Sequence, residues 1–188
     1  MFVFLNLIIS RGGCSPSNVN WSMIVSLQVN HTHPRHICEG TILSESYILT
    51  AAHCVSEIYE NLTIVAGICK ASVDKIIIHP LWKRFRSERQ FDIAILHLSQ
   101  PFDLSTNSPL VRAHLPPRQN TLEDIVEYPS NGTQLIIIDW NISTSEILQQ
   151  IPVQTIHHFN KTCSNTIRNP AVHFCVDLHQ DRKGIKRK

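Results

Sequence analysis

A histidine stands directly before a cysteine in the run Tyr47-Ile48-Leu49-Thr50-Ala51-Ala52-His53-Cys54, and a second cysteine, Cys38, lies sixteen residues upstream. An unperturbed imidazole titrates near pH ~6.5, so His53 can take up a proton and return it under ordinary conditions. Asp92 is a carboxylate at a strand start, between Phe91 and the apolar run Ile93–Leu98. The other histidines carry less. His31, His33 and His36 fall in a polar, Pro-containing turn, and His157 and His158 lie near a strand end. No thiol or carboxylate accompanies them at metal-ligand spacing, so neither a metal nor a cofactor is expected.

The elements that must hold these residues read as short strands. Val/Ile/Leu-rich runs recur at Met23–Gln28, Glu39–Leu43, Tyr47–Thr50, Leu62–Ala66, Val73–Ile78, Ile93–Leu98, Gln134–Trp140, Val153–Ile156 and Val172–Val176. Polar or Pro-containing turns separate them. Even spacing of this kind predicts an all-β chain folded as a sandwich or as closed barrels. One helical turn is expected over Ala51–Tyr59, just after the strand that leads to His53.

The chain has 188 residues, enough for one full domain or two small ones. A net charge of +2 gives no reason to expect nucleic acid as a partner. No stretch approaches the ~18 apolar residues of a membrane span. Six cysteines point to disulfides in an oxidising compartment. Asn-x-Ser/Thr glycosylation acceptors begin at Asn20, Asn30, Asn61, Asn131, Asn141 and Asn160, more than chance supplies in a chain of this length. Together these favour a secreted, extracellular protein. The apolar start, residues 1–10, reads equally as a signal-peptide remnant or as a truncated start or buried first strand. The basic stretch 179–188 reads as a disordered tail.

With its context, the Thr-Ala-Ala-His-Cys run resembles the trypsin/chymotrypsin-like serine peptidases. Cys38-Glu39-Gly40-Thr41-Ile42-Leu43 is similar to the family's Cys-Gly-Gly-Thr-Leu-Ile, with Glu39 in place of a glycine. Gly12-Gly13 and then Trp21-Ser22-Met23-Ile24-Val25-Ser26-Leu27-Gln28 resemble the family's opening. Ile76-Ile77-Ile78-His79-Pro80 and Phe91-Asp92-Ile93-Ala94-Ile95-Leu96 resemble its Ile-x-x-His-Pro and Asp-Ile-Ala-Leu-Leu. Ile138-Asp139-Trp140-Asn141 keeps only the tryptophan of Gly-Trp-Gly.

The resemblance implies two antiparallel β-barrels with an active site between them. The first, over 11–118, would be complete and carry His53 and Asp92; the second, over 119–178, would be partial, with about three strands. His53 would be the general base, and Asp92 would accept its Nδ1–H bond and stabilise the imidazolium. Cys38 would pair with Cys54, and Cys163 with Cys175. Cys14 and Cys69 have no firm counterparts, and the sequence does not assign them.

The departures matter as much. The family's nucleophile follows the counterpart of Cys175 in a Gly-Asp-Ser-Gly-Gly-Pro segment, which supplies the oxyanion-hole donors too. Here Val176-Asp177-Leu178-His179-Gln180-Asp181 leads into the basic stretch, and no serine follows Ser164. Ser10-Arg11 precedes Gly12-Gly13, so the Ile-Val terminus that the family uses for activation is lacking as well. An inactive relative of a polypeptide-cleaving enzyme is the expectation. Three explanations stay open: an incomplete product of a peptidase gene, a secreted non-catalytic protein-binding regulator, or activity restored by a complementary chain. A half-finished second barrel would leave strand edges unpaired and one apolar face uncovered.

Overall fold

A computed structural model describes residues 21–30, 34–57, 61–82, 91–115, 129–140, 148–157, 159–164 and 174–178. The expected leader at 1–10, the basic tail, Cys14, Asn20, His31, His33, Asn141 and His158 lie outside the described residues. The described residues fall into two compact units, one holding those up to 115 and the other those from 129 on.

The first unit is a closed six-stranded barrel. Its strands are β1 (Ile24–Asn30), β2 (Pro34–Ser44), β3 (Tyr47–Thr50), β4 (Leu62–Ala66), β5 (Cys69–Ile78) and β6 (Ala94–Leu98), with one helical turn, α1 (Ala52–Val55), after β3. They pair antiparallel in the order β1-β2-β3-β6-β5-β4, and β1 closes the ring on β4 from Ser26↔Val65 to Val29↔Leu62. The sequence dictates which face turns inward. In β4, Leu62, Ile64 and Ala66 are buried while Thr63 and Val65 are not; in β6, Ala94, Leu96 and Leu98 are buried in the same alternation. Register shifts between Leu27 and Gln28, Ile42 and Ser44, and Val73 and Lys75 bend the strands enough for closure. Val25, Leu27, Ile42, Ile48, Ile64, Leu96 and Leu98 fill the interior, with Ala52 and Val55 of α1 packed among them.

Gly40 explains half of the Glu39-Gly40 pair. A Cβ built there would lie 2.7 Å from Ile48 Cγ2, 2.9 Å from Leu27 Cδ1 and 3.2 Å from the Leu49 carbonyl oxygen. The neighbouring position has no such restriction, and a glutamate stands there. Gly40→Ala is expected to destabilise the barrel by about 1–3 kcal/mol through overpacking, measured as a lower urea midpoint at unchanged slope.

The strand expectations hold in kind, with bounds shifted at several ends; of the one expected over Val172–Val176, residues 172 and 173 lie outside the described residues and the observed strand is Cys175–Leu178. His36 departs from its expected turn, because Pro34–Ser44 forms one continuous strand in which His36 pairs with Gln28. Residues 69–72 are also strand, paired with Thr63–Ala66 across the tight turn at Gly67, whose φ is +60°.

The second unit is a three-stranded antiparallel sheet, β7 (Gln134–Trp140), β8 (Leu148–Ile156) and β9 (Cys175–Leu178), in that order. Leu135, Val153 and Val176 are buried together on one face, with Ile137, Ile151 and Phe174 against them. Thr155 ties the turn before β7 to β8: its buried Oγ1 donates to the Ser130 carbonyl (2.6 Å) and accepts the Thr133 N–H (2.8 Å). A short helix, α2 (Lys161–Ser164), precedes β9 and had no counterpart in the sequence reading. The chain is thus all-β in class, with one complete antiparallel barrel and part of a second. Among the described residues no helix is long and apolar enough to cross a membrane.

Candidate active site

His53 is the second residue of α1, and three restraints fix its backbone. Ala52 and Val55 on either side are buried at 0% and 1% exposure. Cys54 is joined to Cys38 of β2 by a disulfide. The turn itself is short, closed by Ser56 N–H donating to the Ala52 carbonyl (2.9 Å). Just before it, Thr50 at the end of β3 donates its buried hydroxyl to the Glu39 carbonyl of β2 (2.9 Å). The Thr-Ala-Ala-His-Cys run is therefore a local anchoring device. A hydroxyl, two small residues and a sulfur lock one imidazole to the barrel rim.

Asp92 meets it from just before β6, the strand that pairs with β3. The Asp92 carboxylate accepts two hydrogen bonds from the same residue: the His53 backbone N–H at Oδ1 (2.8 Å) and the His53 ring at Oδ2 (2.6 Å). A carboxylate accepts, so the ring proton sits on Nδ1, and in the neutral imidazole the lone pair belongs to Nε2. Both side chains keep about a quarter of their surface exposed, 24% for His53 and 21% for Asp92. The pair is partly open to solvent. Cys54 Sγ lies 3.5 Å from Nε2, and as a disulfide sulfur it has no proton to give.

Two sulfurs and an imidazole nitrogen, from Cys38, Cys54 and His53, gather within 4.8 Å of one another. In reduced form that grouping would suit a soft metal. With the cysteines bonded to each other, neither sulfur is a thiolate ligand.

The approach of Asp92 to His53 has a backbone signature. Phe91 adopts φ +59°, a left-handed conformation that costs a residue with a Cβ roughly 1–2 kcal/mol. Ile93 N–H donates to the Phe91 carbonyl (2.8 Å), so the chain folds tightly around Asp92. A phenylalanine gives no sequence signal for that conformation.

A second polar cluster was also hidden from sequence reasoning. Nδ1 of His36 lies 2.7 Å from Ser26 Oγ, and its Nε2 lies 3.2 Å from Glu39 Oε1. Serine, histidine and carboxylate in line suggest catalysis at first sight. Ser26, however, is 3% exposed in mid-strand, pairing with Glu39 on one side and Val65 on the other. A substrate carbonyl has no approach to it. The cluster is a polar strap across β1 and β2, and it shows where the Glu39 side chain goes.

The remaining expected residues are placed as follows. Cys163, fully buried in α2, is bonded to Cys175 at the start of β9. Cys69 is half-buried and forms no disulfide with a described cysteine. Asn61, Asn131 and Asn160 are exposed, and Asn30 ends β1. Asn61 has φ +61°, a conformation asparagine tolerates well.

The first unit is a closed antiparallel barrel, and His53 is held there by the Asp92 carboxylate through Nδ1. The family model described as Trypsin matches residues 10–186, and the chain belongs to that family, the trypsin-like serine proteases. It is similar to chymotrypsin-like elastase family member 1 of Bos taurus, 28% identical over 171 residues, which cover 82% of this chain and 60% of the relative. Chymotrypsin-C of Mus musculus is 32% identical over 159 residues, 77% of this chain and 55% of the relative. The human chymotrypsin-like elastase family member 1 is 32% identical over 106 residues, 50% of this chain and 41% of the relative. The chain spans about half the length of the curated relatives it matches.

Proposed function

We propose that this chain carries the base and orienter of a peptide-bond-hydrolysing serine endopeptidase, and that the 188 residues by themselves do not turn over peptides. The observation that supports the first half is the double acceptance by Asp92 of the His53 N–H and Nδ1–H. In that role His53 Nε2 takes the proton of an attacking serine hydroxyl and returns it to the leaving amine. Asp92 stays ionised and stabilises the imidazolium between the two transfers. The second half rests on the sequence, which contains no Gly-Asp-Ser-Gly-Gly-Pro segment. The alternative, a non-catalytic binding regulator, draws no support from this pair, since a binding surface has no need of a carboxylate-held imidazole.

The base assignment has a direct test in ring-¹⁵N-labelled protein. The wild-type neutral His53 is expected as the Nδ1–H tautomer, with a strongly hydrogen-bonded ring proton. Asp92→Asn should switch it. The amide oxygen of Asn would stay on the His53 backbone N–H, leaving its NH₂ facing Nδ1 and driving the ring proton to Nε2. A His53 ring indifferent to this substitution removes the assignment.

Secretion and glycosylation belong to the same proposal. Two disulfides fit an oxidising compartment. The exposure of Asn61, Asn131 and Asn160 leaves room for a glycan at each. Protein made in a secretory host is expected to migrate faster on gels after treatment with an N-glycan-cleaving enzyme. Unchanged migration would exclude glycans.

A further inference from the structure

We infer that His79 is a positioning residue for Asp92, acting as a clamp on both of its chain neighbours; this rests on the base-and-orienter reading above. The strained residue is Phe91, with φ +59°, directly before Asp92. A Cβ-bearing residue stays in that region only where its surroundings over-determine it. Among the described residues His79 supplies two such restraints. Its ring stacks on the Phe91 ring, with centroids 4.8 Å apart and planes within 10° of parallel. Its backbone N–H donates to the Ile93 carbonyl (3.1 Å). One residue thereby grips position 91 through its ring and position 93 through its main chain, with Asp92 between them.

The platform is itself fixed. Trp82 N–H donates to the His79 carbonyl (2.9 Å), closing a β-turn whose second residue is Pro80, where the ring's preset φ favours turning. Leu81 N–H donates to His79 Nδ1 (3.2 Å), which sets the ring's orientation. The neutral ring therefore carries its proton on Nε2. Order passes from a Pro-containing turn to an imidazole, from the imidazole to a strained phenylalanine, and from there to the carboxylate that holds His53. In this scheme His79 acts through Phe91 and Asp92, not on a reacting atom.

The test reads the His53 ring in the full 188-residue protein by ¹⁵N and proton NMR, with dispersion of the barrel amides reporting the fold. His79→Ala is expected to abolish the hydrogen-bonded Nδ1 proton of His53 as completely as Asp92→Asn does, with the barrel spectrum otherwise kept. His79→Phe, which retains a stacking ring, should preserve it. In His79→Ala/Phe91→Gly the signal should return, because glycine occupies positive φ without a clamp. A His79→Ala protein with wild-type His53 signals, where Asp92→Asn has lost them, overturns the clamp and leaves the base assignment standing. An Asp92→Asn protein whose His53 signals match the wild type removes both. Should His79→Ala fail to fold, loss of the signal in a folded His79→Phe protein overturns the clamp.

Discussion

The purified 188-residue polypeptide is expected to hydrolyse peptide and ester substrates no faster than buffer, and His53→Ala is expected to leave that rate unchanged. Loss of the nucleophile alone lowers turnover by ~10⁶ in a comparable triad enzyme. What activity remains there comes from the oxyanion hole and from substrate binding. In this family the oxyanion donors come from the same segment as the serine, and these 188 residues do not contain it. On the proposed reading, the base His53 is left without the family's hydroxyl to deprotonate. Initial-rate assays at high enzyme concentration check this, and a rate above buffer that falls with His53→Ala would count against the account.

Breaking the Cys38–Cys54 disulfide should have the largest structural effect. The bond joins cysteines sixteen positions apart, a closure worth about 3 kcal/mol in the chain-entropy model. It also bridges β2 to the turn that carries His53, so two losses are expected together. Cys38→Ser/Cys54→Ser should lower the unfolding free energy by about 2–5 kcal/mol. It should also loosen the His53 ring, seen as a weakened Nδ1 proton signal well below the unfolding transition. Loss of stability with an unchanged His53 ring would mean that Ala52, Val55 and Asp92 hold the histidine without help from the sulfurs.

The His53 half of the candidate site was legible in sequence because most of its determinants are local. Thr50, Ala51, Ala52, His53 and Cys54 each have a distinct physical task within a few residues of the imidazole, so the run itself is the signal. Strand positions were legible for a related reason. Alternation in Leu62–Ala66 and Ala94–Leu98 needs only a buried face. What escaped was set by partners far along the chain. Polar residues 34–36 read as a turn, yet β1 pairs with them and draws them into the sheet. The four residues of α2 are too few to show a helical period, and a buried disulfide holds them in place. The left-handed Phe91 depends on a ring twelve residues upstream, which no local pattern records. Glu39 stands where the family has a first glycine. The barrel interior needs only Gly40, and Glu39 reaches His36.

Labelling by a serine-directed fluorophosphonate, with the wild-type chain compared against His53→Ala, probes the account at its centre. These reagents capture a serine only when a neighbouring base activates it. The prediction is no stoichiometric adduct on either protein. One fluorophosphonate bound per wild-type chain and none on His53→Ala would mean that a serine within these 188 residues is served by His53, and the account would be wrong.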